Sequence, residues 1–294
     1  MKLTRDKKIL IVGLGLIGGS YAKALTKKGY HVSAVTRSAS TIRYALEQNI
    51  ISAGTTDADP KLIGEADIVV LALYPRVLIP WLEQNQQHLK PGAILTDVTG
   101  VKGCVVYDIQ NMLRSDLEFI GAHPMAGREV YGIENSDETI FRKANYIVTP
   151  TGKNSEEAIV LCEQLGWELG FARVSRLSPE KHDDMIGFLS QLTHCIAIAL
   201  MNCNDTPGME AYTGDSFRDL TRIARINDQM WSELFMCNRE QLLRHMDAFT
   251  ESFCALREML DSGKINACIV AVPHYDHTEY ALACMQKGIH VLVE

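Results

Sequence analysis

The sequence is short of the features that mark several large classes of protein. No window approaches ~18 uninterrupted apolar residues, so no membrane span is expected. Lys and Arg number 29 against 36 Asp and Glu, giving a net charge of −7. The cations are dispersed, which leaves no basic stripe for nucleic acid. The eight Cys stand singly, at 104, 162, 195, 203, 237, 254, 268 and 284, without a CxxC pair. Most lie in apolar surroundings, where Cys behaves as a small hydrophobe, so no metal site is expected. Residues 1–8 lack a signal-peptide core, and with unpaired thiols a reducing cytoplasm is the expected compartment. What remains is a chain of 294 residues, 47% hydrophobic, enough for two modest domains or one large one.

The most informative stretch lies near the start. Ile9-Leu10-Ile11-Val12 is a continuous apolar run broken at Gly13, and helical spacing follows through Tyr21, Ala22, Ala24 and Leu25. In the pattern Gly13-x-Gly15-Leu16-Ile17-Gly18, Gly13 lets the chain turn off a strand. Gly15 lets backbone approach a pyrophosphate, and Gly18 lets the helix pack closely on the sheet. The helix N-terminus then offers N–H groups and a positive dipole end to that anion. Such glycine turns also occur as plain βα connections, but this one follows a strand and opens a helix.

The second strand, His31–Thr36, ends where cofactors are distinguished. A carboxylate there would bind a ribose 2′-hydroxyl and select NAD. None is present; Thr36-Arg37-Ser38 offers a cation able to face a 2′-phosphate, so NADP is favoured slightly over NAD. Leu73 and Tyr74, closing the apolar run 66–73, complete the cofactor candidates. Further strands are expected at Pro91–Val98, Glu118–Ala122, Asn145–Pro150 and Phe171–Val174, with helices between them over about 39–48 and 155–168. Alternating β and α units imply an α/β, doubly wound (Rossmann) parallel sheet, with ligands beyond its carboxyl ends. Thr99–Lys102 and His123–Gly127 should therefore face the nicotinamide end. From Ser178-Pro179, an N-cap with Pro at the first helical position, the period is helical to about Ser262. The expected domains are 1–176 for the dinucleotide, 177–262 for an all-helical second domain, and a tail over 263–294.

With these motifs in view the chain resembles the prephenate/arogenate dehydrogenases of tyrosine biosynthesis. The likeness rests on the glycine turn, Asp97-Val98-x-x-Val101-Lys102, and His123-Pro124-Met125-Ala126-Gly127 with Glu129. It continues through His182-Asp183, Ser190-x-Leu192-x-His194, Phe217-Arg218-Asp219-x-Thr221-Arg222-Ile223-Ala224 and Met230-Trp231. The resemblance implies oxidative decarboxylation of prephenate or arogenate, with hydride passing to NADP or NAD. It also implies a homodimer joined through the helical domain. His123 matches the catalytic histidine, which takes the substrate hydroxyl proton. Arg222 matches the holder of a substrate carboxylate. Ser190 and His194 match the pocket lining, and Glu129 and Trp231 its edge.

Simpler readings stay beside these. His194 could be a buried structural histidine, Trp231 plain core, and Arg218 a solvated helix side chain. The chain also departs from the family's pattern. Gly100 stands where Ser is usual, leaving neighbouring Thr99 to supply a hydroxyl, and Gln191 and Thr193 replace a frequent His and Pro. Nothing in the sequence separates prephenate from arogenate. A β-hydroxyacid dehydrogenase shares the domain plan but needs a catalytic Lys that only Lys181 approaches. A cofactor-binding regulator without catalysis is the third reading. The tail, strand–helix–strand over Ile265–Glu294, resembles an internal piece of the glucose-fructose oxidoreductase/inositol dehydrogenase family. It is expected to lack separate activity, its strands to need a sheet edge, and His274, Asp276 and His277 to form an exposed turn.

Overall fold

A computed structural model describes residues 3–128, 130–261, 267–270, 277–286 and 290–293. Residues 1–242 form one compact unit and 243–294 a second. In the first, β1 (Lys8–Val12) leads into α1 (Leu16–Lys27), β2 (His31–Val35), α2 (Ala39–Glu47), β3 (Ala53–Thr55) and the single turn α3 (Pro60–Ile63). Then come β4 (Ile68–Leu71), α4 (Pro75–Asn85), β5 (Ile94–Asp97), α5 (Val106–Met112), β6 (Glu118–Pro124) and β7 (Asn145–Thr149), followed by α6 (Glu156–Leu169) and β8 (Arg173–Arg176). The eight strands form one sheet in the order β3-β2-β1-β4-β5-β6-β7-β8.

The apolar runs are continuous because both faces of the sheet are covered. Ile9 and Ile11 enter one core cluster, and Leu10 and Val12 the other. The same alternation sends Ile68 and Val70 to the first face and Val69 and Leu71 to the second. Helix ends fall where local chemistry puts them. Ser38, Ser155 and Ser178 cap α2, α6 and the next helix through backbone N–H groups three residues on, and Gly170 ends α6 in the left-handed region.

The expected doubly wound, mainly parallel sheet is present; within it β7 runs antiparallel to β6, with β8 parallel to β7. Among its described residues the connection 125–144 carries short 3₁₀ turns and no crossover helix, so it brings the chain back alongside in the opposite sense.

The helical part begins with α7 (Pro179–Ile186), a π-helical segment (Gly187–Leu192) and α8 (Thr193–Asn202), which follow one another without a break. After it come α9 (Asp215–Thr221), a 3₁₀ turn at Arg222–Ala224, α10 (Asp228–Cys237) and α11 (Arg239–Asp261). The sequence places a domain boundary at 176/177. In the structure the helices up to residue 242 belong to the same compact unit as the sheet. Asp183 on α7 explains the attachment, since its carboxylate accepts the N–H groups of Lys102 and Gly103 after β5 at 2.8 and 2.7 Å. By length and composition residues 179–202 would suffice to cross a membrane. Asp183, in the first of these helices, is fastened to the segment after β5.

In the second unit, β9 (Ala267–Val270) and β10 (His290–Val293) pair in parallel with α12 (His277–Met285) between them in sequence. The expected strand–helix–strand order is present, but the strands pair with each other. No other sheet edge is needed for that pairing. His274 and Asp276 lie outside the described residues.

Candidate active site

The glycine turn has three different local requirements. Gly13 sits at φ +97°, and a Cβ there would come within 2.3 Å of the Ala72 carbonyl. At Gly18 a Cβ would meet the Gly13 carbonyl at 1.9 Å, so the helix can approach the turn only without a side chain. A Cβ on Gly15 would meet nothing within 4 Å. That open position lies at the start of α1. No side chain caps α1, and Leu16 and Ile17 form its first turn. Leu73 lies against Gly13, and Tyr74, 40% exposed, is the residue before α4. At the end of β2, Thr36 donates its N–H to Thr55, Ser38 is occupied in capping α2, and Arg37 is exposed.

Beyond β5 and β6 lies a buried polar chain. Lys102 and Asp97 are fully buried and paired at 2.6 Å. Lys102 Nζ also donates to the Ala122 carbonyl at 2.6 Å, while Asp97 accepts the Ala122 N–H at 3.0 Å. Both sides of the peptide segment leading into His123 are thereby held. Thr99 is buried too; its hydroxyl donates to Asp97 and accepts from Lys102 at 3.1 Å. This corrects the expectation that Thr99 replaces a substrate-facing serine. The short turn after β5 directs its hydroxyl inward, where it completes the coordination of the buried pair.

His123 Nδ1 lies 2.9 Å from His182 Nε2, and His182 Nδ1 lies 2.8 Å from Asp183 Oδ1. The carboxylate can only accept, so neutral His182 carries its proton on Nδ1 and accepts at Nε2. His123 must then donate from Nδ1, which leaves Nε2 as its basic atom. A Cβ on Gly100 would lie 3.8 Å from that Nε2, and 3.6 Å from a Leu234 methyl, so this atom faces the gap between Gly100 and α10. Burial chiefly, then the His182 and Lys102 charges, pushes the His123 pKa well below 6.5. Burial also lowers His182, with Asp183 opposing.

A second group stands one helical turn along α10. Trp231 and Leu234 share a face of that helix. Trp231 is half-buried and stacks on His194 with ring centroids 3.8 Å apart. His194 Nδ1 donates to the Ser190 carbonyl at 2.8 Å, so the expected Ser190–His194 neighbourhood exists. Ser190 lies in the π-helical segment, a local widening that often occurs at functional sites. The turn holding Arg222 packs on α8 beside this group, with Arg222 exposed. Arg218 is occupied by the Thr213 carbonyl and Asp215. Lys181 is exposed in the first turn of α7. Glu129 lies outside the described residues.

The sequence motifs included His182, Asp183, Asp97 and Lys102, but sequence reasoning gave them no place in the site. Their burial was the missing signal: adjacent polar residues on an amphipathic helix read as solvent-facing until their partners are known.

Two family models match, the prephenate dehydrogenase nucleotide-binding domain over residues 21–174 and the prephenate dehydrogenase dimerization domain over 178–271. The chain belongs to the prephenate dehydrogenase family. A prephenate dehydrogenase of Lactococcus lactis is 33% identical over 254 residues, covering 83% of this chain and 68% of that protein. Among solved structures, Aquifex aeolicus prephenate dehydrogenase, in complex with hydroxyphenyl propionate and NAD+, is 30% identical with a TM-score of 0.81. That match covers 97% of this chain and 98% of the other. Synechocystis arogenate dehydrogenase is 26% identical, with a TM-score of 0.76 and coverage of 96% and 100%. Membership in this dehydrogenase family makes the chain an NAD(P)-binding enzyme.

Proposed function

We propose that this chain oxidatively decarboxylates prephenate to 4-hydroxyphenylpyruvate in tyrosine biosynthesis. Arogenate, giving tyrosine directly, is the alternative substrate. The observation that carries the reading is His123 Nε2, deprotonated and aimed at the gap beside Gly100, beyond the carboxyl ends of the strands. Gly13, Gly15, Leu16, Ile17 and Gly18 would receive the pyrophosphate, Leu73 and Tyr74 would flank the dinucleotide, and Thr36, Arg37 and Ser38 would face its adenosine ribose. The bound NAD(P) supplies the hydride acceptor.

His123 draws the proton from the carbinol oxygen as hydride leaves the same carbon, giving a ring ketone. Arg222, with Ser190, His194 and Trp231, holds the remaining anionic substrate, and Glu129 belongs at the pocket edge. When the ring carboxylate departs as CO2, its bonding electrons pass through the ring to the ketone oxygen. His123 can then return its proton to that oxygen, so the base is restored and the ring is aromatic. Lys102 is a positioning residue: through Ala122 it fixes His123, and its charge favours the neutral imidazole.

NADP is slightly favoured, because Arg37 at the end of β2 offers a cation to a 2′-phosphate and the sequence Thr36-Arg37-Ser38 holds no carboxylate. A homodimer through the helical domain is supported by α11, where Met246, Phe249, Phe253, Leu256 and Leu260 leave an apolar stripe exposed. We assign residues 1–176 to the cofactor, 177–262 to substrate and dimer, and 263–294 to a βαβ-like appendage. A cytoplasmic enzyme with neither membrane nor nucleic-acid partner completes the reading.

The test is a grid of initial rates, prephenate and arogenate each with NAD and NADP. The strongest rate names substrate and cofactor together. Silence in all four combinations, with cofactor binding intact, would overturn the catalytic reading in favour of a binding regulator.

A further inference from the structure

The strand order opens a crevice between β1 and β4, because the chain winds to one side from β1 and to the other from β4. The glycine turn after β1 forms one wall of this crevice, and the corner 72–75 after β4 forms the other. The two walls touch: the Ala72 carbonyl and a Leu73 methyl lie against Gly13. How α4 starts therefore decides where Leu73 and Tyr74 stand.

The start of α4 is not completed by its own residues. Tyr74, at the N-cap position, supplies no side-chain cap, and Pro75 has no N–H. The N–H groups of Val77 and Leu78 both donate to the Tyr74 carbonyl, at 2.9 and 3.0 Å. That leaves the Arg76 N–H without a partner in its own helix. It donates instead to Glu233 Oε1 on α10, at 2.5 Å. Glu233 Oε2 is buried, accepts no hydrogen bond among the described residues, and lies 3.5 Å from Arg76 Nε. The Glu233 side chain is 13% exposed and that of Arg76 51%, so the capping carboxylate is the enclosed partner. A negative charge there also meets the positive end of the helix dipole.

α10 is a firm base for this contact. Gln191 Nε2 donates to the Leu234 carbonyl at 2.9 Å, and Asn238, just after the helix, donates to the Asp183 carbonyl at 2.8 Å. Trp231, two residues before Glu233, stacks on His194. Leu234, the next residue, borders the gap at Gly100 that His123 Nε2 faces. One carboxylate thus joins the crevice wall to the helix beside the catalytic histidine.

We propose that Glu233 is a positioning residue, which caps α4 from α10 and so fixes the wall of Leu73 and Tyr74 against which the dinucleotide lies. The assignment rests on the reading that Leu73 and Tyr74 flank the cofactor. The hydrogen bond to the Arg76 backbone carries the effect, and the ion pair with the exposed guanidinium adds little. Without the cap the corner loosens, so the loss appears in cofactor binding rather than in the chemical step.

Two variants of the full-length enzyme separate the two contacts. Glu233→Gln keeps the reach and loses the charge, whereas Glu233→Asp keeps the charge and loses the reach. Each is titrated with NADH and NADPH by nicotinamide fluorescence, and initial rates are taken with whichever of prephenate and arogenate turns over. Glu233→Asp should raise the cofactor Kd and KM roughly tenfold, with kcat within about threefold of the parent. Glu233→Gln and Arg76→Ala, which retain the acceptor and the N–H, should stay within about threefold in all three quantities. Glu233→Gln as damaging as Glu233→Asp, or Arg76→Ala as damaging, would overturn the proposal in favour of the ion pair. An unchanged Kd in Glu233→Asp, or a fall in kcat with cofactor KM unchanged, would also overturn it, the second by marking a merely structural role. Tyr74→Ala tests the reading beneath. Unaltered cofactor binding there overturns the placement of the wall, whereas weakened binding there with no effect of Glu233→Asp overturns the cap alone.

Discussion

His123 donates its Nδ1 proton to His182 Nε2 across 2.9 Å, and the direction of that bond is imposed from behind by Asp183. The carboxylate therefore sets which nitrogen of His123 is basic. An amide at 183 could donate to His182 Nδ1 and reverse the chain, placing a proton on Nε2 of His123. Asp183→Asn is expected to cut kcat by roughly 10²- to 10⁴-fold, close to the loss from His123→Asn, with cofactor affinity retained in both. Turnover and cofactor titration measured on the same preparations check this. Unchanged turnover in His123→Asn would remove that residue from the chemistry.

The lowered pKa values of His123 and His182 give the protein a definite response to acid. Folded, both imidazoles resist protonation; unfolded, they titrate near 6.5. Their contribution to stability is therefore present above 6.5. It is lost as pH falls below that value, because the unfolded chain then binds more protons, and the loss levels off only below the folded pKa values. The acid limb of kcat/KM, which needs neutral His123, should likewise lie below 6.5. Urea midpoints and kcat/KM across the acid range test both; a limb at or above 6.5 would contradict the buried-histidine assignment.

Much of this was readable in the chain because local rules and global fold agree. Ile9–Val12 and Ile68–Leu71 are apolar without alternation because both faces are covered, and Ser178-Pro179 starts α7 as its chemistry requires. The antiparallel β7 was not readable, since a strand's own residues do not state which way its neighbour runs. Thr99 was misjudged for a related reason. Its motif places it at the strand end, but only the buried Asp97–Lys102 pair decides that its hydroxyl turns inward. Breaking one member of such a pair costs about 3–5 kcal/mol, which is reason enough for the surrounding hydrogen bonds.

Gly15 and Gly18 should fail in different ways. Gly15→Ala adds a methyl where nothing of the protein lies within 4 Å, so stability should change by under about 1 kcal/mol while cofactor affinity falls tenfold or more. Gly18→Ala drives a methyl into the Gly13 carbonyl and should lower Tm as well. Thermal melts paired with cofactor titrations separate the two, and equal effects of both variants on Tm would refute the assignment of Gly15 to the ligand.

Arg37, exposed at the end of β2, is the residue proposed to face a phosphate that NAD does not carry. Arg37→Asp replaces attraction by repulsion at that point, so KM for NADP should rise about 10- to 100-fold while KM for NAD changes little. Parallel rate curves for the two cofactors decide it. Matching shifts would mean that Arg37 does not contact the 2′-phosphate.

Gly100 offers the most direct probe of how this site handles the substrate hydroxyl. Its missing Cβ would sit 3.8 Å from His123 Nε2 and 3.6 Å from Leu234, ordinary contact distances, so a serine fits without displacing backbone. Thr99 cannot serve in its place, because its hydroxyl is committed to Asp97 and Lys102. Gly100→Ser should therefore leave stability within about 1 kcal/mol of the parent and add a hydroxyl beside His123. If the carbinol oxygen sits between His123 and this position, kcat/KM should rise several-fold, whereas the larger Gly100→Val should fill the same space and depress it. A serine that lowers kcat/KM as much as valine would show that the gap is occupied by the substrate ring itself, and that His123 meets the hydroxyl from the other side.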